Sequence, residues 1–172
     1  LWPAMWGWAF YADDPMNSKV ADEMGVIIGT SHHEPMARNH QEWTRNRKEH
    51  GAWNYASNQK VIDKFFTEGI ERIKGTEDIV TIGMRGDGDE AMSKETDVQL
   101  LECVVKNQRK IIEKTTKRPA KQTPQVWALY KEVLDYYDAG MRVPEDVIML
   151  LCDDNWGNVR RLPNEKERKH PG

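Results

Sequence analysis

The sequence predicts an α/β fold, a partial (β/α)8 barrel of the TIM type with about half of its strands present. Three observations lead there. Short, nearly continuous apolar runs recur along the chain, segments of helical periodicity separate them, and a polar cluster follows each of four runs.

The runs are "GVIIGT" (25–30), "DIVTIGM" (78–84), "PQVWALY" (124–130) and "DVIMLLC" (146–152), with "LWPAM" at the start as a weaker fifth. Each is rich in β-branched or aromatic residues and too short for a helix. Apolar residues without alternation suit strands covered on both faces, as in a parallel sheet. Between them, Val61, Ile62, Phe65, Phe66, Ile70 and Ile73 mark one face of a helix ending near Gly75, and Leu101, Val104, Val105, Ile111 and Ile112 mark a second. A third, shorter helix is expected from about Lys131 to Asp138, with Gly140 as a left-handed stop and Pro144 beyond it. The order is β and α in alternation, which fits half a barrel or the core of a doubly wound sheet.

Composition narrows the function classes. A chain of 172 residues with net charge −3 can bury one core, and it carries neither the basic excess of a nucleic-acid binder nor the bias of a disordered tail. No apolar stretch approaches the roughly 20 residues that span a membrane, and no basic n-region followed by an apolar h-region opens the chain, an absence that says little in a sequence not beginning with methionine. The chain starts without methionine, inside the apolar "LWPAMWGWAF", so a piece of a longer protein is expected. Expressed alone, such a piece would be poorly soluble and inactive, because its sheet edges would lack their neighbours. Cys103 and Cys152 are expected to be buried thiols. The tail "NEKERKH" is expected to be solvated.

The polar clusters share one position. "SHHE" follows the first of the four runs, "RGDGDE" the second, Tyr130 with "KE" the third and "DDNWGN" the fourth. In parallel α/β folds the loops leaving the C-terminal strand ends converge on one pocket, so one site explains four clusters better than four separate turns do. Simpler readings fail in turn. His32 and His33 are adjacent and cannot face one metal together, and HExxH and HxxEH are both absent, so one histidine is assigned to the pocket and the other to structure. "DGD" at 87–89 is no EF-hand, since the sixth position is Met92 and the twelfth Val98. "RGD" is a tripeptide common by chance, and acidic side chains with no following GK[ST] rule out a phosphate loop. No cofactor is implied. A dinucleotide enzyme would need G-x-G-x-x-G after its first strand, where this chain has "GWAFYADD".

What remains is a carboxylate-rich pocket with many aromatics: Trp2, Trp6, Trp8, Tyr11, Trp53, Tyr55 and Trp156. Some of these are core. Flat rings beside carboxylates, amides and histidines also suit a carbohydrate site, where rings cover sugar faces and two carboxyl groups act as acid and base.

Six segments, "ADDP", "MGVIIGTSHHEPM", "GMRGDGDEAM", "PQVWALYKEV", "YYDAGMRVPEDV" and "LLCDDNWGNVRRLP", together resemble glycoside hydrolase family 115, the xylan α-1,2-glucuronidases, in the family's order and over nearly the whole chain. The resemblance implies that residues 1–172 are an internal piece of a central catalytic (β/α)8 barrel. The flanking α/β, helical and β-rich domains are not recognisable here. It implies an inverting hydrolase removing glucuronic acid, or its 4-O-methyl ether, from xylose in glucuronoxylan or its aldouronic acid oligosaccharides. A secreted or periplasmic location goes with such a substrate, the family admits a homodimer for the full-length protein, and neither nucleic acid nor membrane is a partner. Carried over by motif, Asp89 and Glu132 are the catalytic carboxyls, with His32, Arg85, Tyr130 and Asn155 around the sugar and Trp6 and Asp87 as further substrate-facing candidates.

Physical roles accompany these assignments. Gly86 and Gly88 would let the backbone turn tightly enough to bring Asp89 over the strand end. The planar fork of Arg85 suits a carboxylate, either the substrate's uronate or a neighbouring aspartate, with Asp87 as its orienter. Glu132 would open a helix just after a strand. A noncatalytic carbohydrate-binding relative is the alternative, and it would have lost one of the two carboxyls.

Overall fold

The computed structural model describes residues 14–92, 97–154 and 156–172, with Asp89 through its backbone alone; the weak strand "LWPAM" and the aromatics Trp2, Trp6, Trp8 and Tyr11 lie outside the described residues. The four remaining apolar runs contain four strands: β1 Ile28–Gly29, β2 Asp78–Ile82, β3 Gln125–Leu129 and β4 Ile148–Leu151. All three pairings are parallel and the order in space follows the order in sequence, β1-β2-β3-β4. Ile28 pairs with Asp78, Ile82 with Trp127 and Leu129 with Leu151, so the strand ends emerge side by side. This is the expected α/β architecture, a four-stranded partial barrel. Every residue of β3 is buried, as its unbroken apolar run requires, whereas Ile148 of β4 is exposed.

Helices link the strands. α1 (Pro15–Glu23) precedes β1; α2 (His40–Arg45), α3 (Arg47–His50) and α4 (Tyr55–Arg72) lie between β1 and β2; α5 (Val98–Thr116) connects β2 to β3, and α6 (Glu132–Asp138) connects β3 to β4. The Asn54 side chain accepts a hydrogen bond from Ser57 N at the start of α4, and Asp97 does the same for Leu100 N at the start of α5. α4 buries Ile62, Phe65, Phe66 and Ile70 and α5 buries Leu101, Val104, Val105 and Ile112, which are largely the predicted faces. Each such side chain contributes roughly 1.5–3 kcal/mol when fully withdrawn from water. α6 ends as expected at Gly140, whose φ is +115°.

The structure corrects several expectations. α1, α2 and α3 were not foreseen, because α1 is mostly exposed and the other two are too short for a period of 3.6 to show. Cys103 is exposed, since it falls off the Leu101–Val104–Val105 face of α5, and Cys152 is only partly buried, with burial pushing its thiol up to about 11. Of the aromatics, some of which were expected in the core, Trp53 and Tyr55 are core residues. The tail is largely exposed as expected, though anchored at two points: Glu167 accepts from both terminal nitrogens of Arg161 at 2.7 and 2.9 Å, and His170 Nε2 lies 2.9 Å from Val147 O. No helix of the described residues is long and apolar enough to cross a membrane.

Candidate active site

The loop after β2 is built for close approach. Gly83 has φ +96°, and a Cβ there would meet the indole nitrogen of Trp127 at 2.5 Å. Its backbone is clamped by the fully buried Gln108 of α5, which accepts from Gly83 N at 2.7 Å and donates to Gly83 O at 2.8 Å. Beyond it, Gly86 N donates to Glu90 O at 2.8 Å, and a Cβ on Gly86 would meet Ala91 O at 2.4 Å. Gly88, with φ +64°, completes the turn. The tight turn read from the two glycines is therefore present. The backbone of Asp89 lies in it, and its side chain is outside the described residues.

The loop after β3 is shorter. Tyr130 is buried, Lys131 has the left-handed φ of +49°, and Glu132 is the first residue of α6. A lysine at positive φ is strained, and this bend lies between the buried Tyr130 ring and the first residue of α6.

Because β2 and β3 are parallel neighbours, these loops meet. Arg85 Nε donates to Glu132 Oε1 and Arg85 Nη2 to Glu132 Oε2, both at 2.8 Å. The side chains retain only 7% and 18% exposure, so this is a two-pronged pair largely withdrawn from water. The Arg85 guanidinium lies 5.5 Å from the centre of the Tyr130 ring, and the Lys131 ammonium 5.1 Å from it. Arg85 was expected to take a neighbouring aspartate or the substrate's uronate. The carboxylate it holds is Glu132, because parallel register places their strand ends side by side.

β1 contributes the histidines. The His32 ring stands 4.8 Å from that of Tyr130 and 4.2 Å from that of His33. Burial, followed by repulsion from His33, Arg85 and Lys131, pulls His32 down to about 3, so it is a neutral imidazole near pH 7. His33 is lowered as well, chiefly by burial, with Glu34 acting in the opposite direction. Glu34 is completely buried, and its carboxylate accepts from Ser31 Oγ while its carbonyl accepts from Thr30 Oγ1 at 2.6 Å. Glu34 ends the "SHHE" cluster and is not among the candidate site residues named from the sequence. A serine three residues before a glutamate at a strand end was the available signal.

Asp87 is placed differently from its expected role as orienter of Arg85. Arg47 Nη2 lies 2.7 and 2.6 Å from its two oxygens, and His40 Nε2 lies 3.0 Å from Oδ1. Burial pushes the Asp87 carboxyl up, but the hydrogen bonds from Arg47 and His40 outweigh it and leave the group below the usual carboxylate range. His40 and Arg47 had no signal in the sequence, since their partner is more than 30 residues away.

After β4, Asp154 accepts from the backbone nitrogens of Trp156 and Asn158 at 2.8 and 2.9 Å, while Trp156 is 87% exposed. A cleft of about 250 Å³ between Tyr130, Lys131, Cys152 and Trp156 opens here. Asn155 and Trp6 lie outside the described residues. A larger hollow of about 710 Å³ sits at the opposite strand ends, among Ile27, Thr76 and Pro124, away from these groups. No group of three or more metal-binding side chains occurs among the described residues.

The sequence model of glycosyl hydrolase family 115 matches residues 1–172. The chain belongs to glycosyl hydrolase family 115. Eleven chains of solved structures match it. One, described as a novel family GH115 4-O-methyl-α-glucuronidase, BtGH115A, with specificity for decorated arabinogalactans, is 39% identical and superposes with a TM-score of 0.81. That match covers 91% of this chain and 21% of the relative, so the family 115 segment described here spans about a fifth of the relative's length. No curated protein matches at a significant level. In this chain the Arg85–Glu132 pair, the neutral His32 and the buried Tyr130 lie together at the C-terminal strand ends.

Proposed function

We propose that this chain forms part of the active site of an inverting glycoside hydrolase that removes glucuronic acid or its 4-O-methyl ether, α-1,2-linked to xylose in glucuronoxylan. The observation that carries the reading is the buried Arg85–Glu132 pair facing His32 and Tyr130 in a family 115 chain. Inversion requires one carboxyl to protonate the leaving oxygen and another to activate water, with the two about 6.5–9.5 Å apart. Glu132 and Asp89 take these roles. Arg85 holds the Glu132 carboxylate in one orientation, His32 supplies a neutral hydrogen-bonding edge, and Tyr130 supplies a ring beside the sugar. Lys131 is the nearby cation suited to the uronate. A polymeric substrate of this kind is met outside the cytoplasm, which favours a secreted or periplasmic enzyme.

A second substrate reading has a specific observation behind it. The 39% identical relative is described as specific for decorated arabinogalactans, so the same uronic acid on that polymer is the competing substrate.

The test uses the complete protein carrying this chain, assayed on glucuronoxylan and on glucuronic acid-decorated arabinogalactan, with the anomer released followed by proton NMR. Glu132→Gln and Asp89→Asn are each expected to lower turnover by about 10²-fold or more. Near-parental release by either variant would remove that residue from the chemistry. Retention at the anomeric carbon would overturn inversion, and release from arabinogalactan alone would move the substrate. Binding without turnover by the parent protein would favour a noncatalytic carbohydrate-binding role.

A further inference from the structure

The turn after β2 is gripped from one side by the segment between β1 and α4. Trp53 donates from its indole nitrogen to Arg85 O at 3.0 Å, and Arg47 and His40 both engage the Asp87 carboxylate. These residues are anchored in turn: the His40 ring meets Trp53 edge-on at 4.9 Å, and Trp53 meets Trp43 edge-on at 4.9 Å and Phe65 at 6.0 Å. Trp43 is fully buried. A carbonyl at 85 and a carboxylate at 87, on either side of Gly86, are thus fastened to the aromatic core. Glycines leave a turn with little stiffness of its own, so its shape depends on what holds it from outside.

We infer that His40, Arg47 and Trp53 are positioning residues for the reaction, acting through the 85–90 turn on the alignment of Arg85 with Glu132 and on the placement of Asp89. The inference rests on the glucuronidase reading above. Arg47 is the residue that separates positioning from simple stability. Its side chain is 46% exposed and that of Asp87 40%, so the pair adds little to global stability. Its two contacts to one carboxylate nevertheless restrict where residue 87 can lie.

The experiment compares Arg47→Ala and Arg47→Lys in the complete protein, reading kcat, KM, the melting temperature and amide hydrogen exchange at Gly86 and Glu90, whose N–H groups bond within the turn. Arg47→Ala is expected to lower kcat about tenfold, since a small misplacement of catalytic groups is costly. KM and the melting temperature should stay near parental values, exchange at the two amides should speed up, and Arg47→Lys should restore part of both effects. Unchanged kcat together with unchanged exchange would overturn the inference, and so would a loss of kcat that follows a fall in melting temperature with exchange at 86 and 90 unaltered. If the parent protein releases no glucuronic acid, the functional reading fails while the exchange measurement still decides the tether: faster exchange supports it and unchanged exchange refutes it.

Discussion

At the N-terminal ends of the strands, Gln125 is fully buried and its amide is committed locally: Nε2 donates to Ala120 O and Thr123 O at 2.7 and 2.9 Å, and Oε1 accepts from Arg109 at 2.9 Å. Arg109 in turn reaches Asp146 with contacts of 2.9 and 2.8 Å. At the C-terminal ends of β2 and β3, Arg85 and Glu132 also join two full charges, but the pair is more deeply withdrawn from water than Arg109–Asp146 (7% and 18% exposed against 20% and 32%) and stands beside a neutral imidazole and a buried phenol ring. The first arrangement fastens connections to the sheet and leaves the polar groups facing one another. The second concentrates charge on the face from which the loops depart. Removing full charges from water costs several kcal/mol per ion and attraction repays it only in good geometry, so a buried pair is a weak reason for stability and a better one for fixing the orientation of a carboxylate.

Arg85→Lys should give the largest effect of the three changes that probe this contrast. Charge is kept but the fork that matches both Glu132 oxygens is lost, so turnover of the complete protein should fall about tenfold or more as the carboxylate loses its orientation. Kinetics unchanged by this swap would erase the functional distinction between the two ends.

His32 offers a sharper probe through pH. Its folded value of about 3 lies below the ordinary 6.5, so between these values the unfolded chain binds a proton that the native state does not. Stability from this group is fully present above pH 6.5 and is lost as pH falls toward 3. Melting temperature plotted against pH should therefore rise across that window, and His32→Asn should flatten the slope; an unaltered slope would mean that His32 titrates normally.

Arg109→Ala should give the smallest effect on catalysis. It leaves the Gln125 oxygen without its donor and should cost about 1–2 kcal/mol of stability, read by urea denaturation, while kcat stays parental. A drop in kcat matching that of Arg85→Lys would show that the two ends are coupled.

Much of the frame was legible because its cause is local. A strand buried on both faces must be apolar throughout, a helix on a sheet must repeat its apolar residues at 3.6, and Gly86, Gly88 and Gly140 stand where the backbone turns or meets another atom too closely for a Cβ, or where φ is positive. The clustering of polar residues after each run could be read for the same reason, since parallel strands with helical returns bring those ends to one side. The choice of partners could not. That Arg85 pairs with Glu132, 47 positions away, depends on the register Ile82↔Trp127. That Asp87 turns away toward His40 and Arg47 depends on two short helices whose periodicity is too brief to see. Trp53, one of the rings that in sequence fit either the core or a sugar face, is the core residue that donates to the carbonyl of Arg85. Residue types and spacing determined which groups reach the strand ends; packing decided which of them touch, because a contact between side chains distant in sequence exists only once the elements carrying them have been placed.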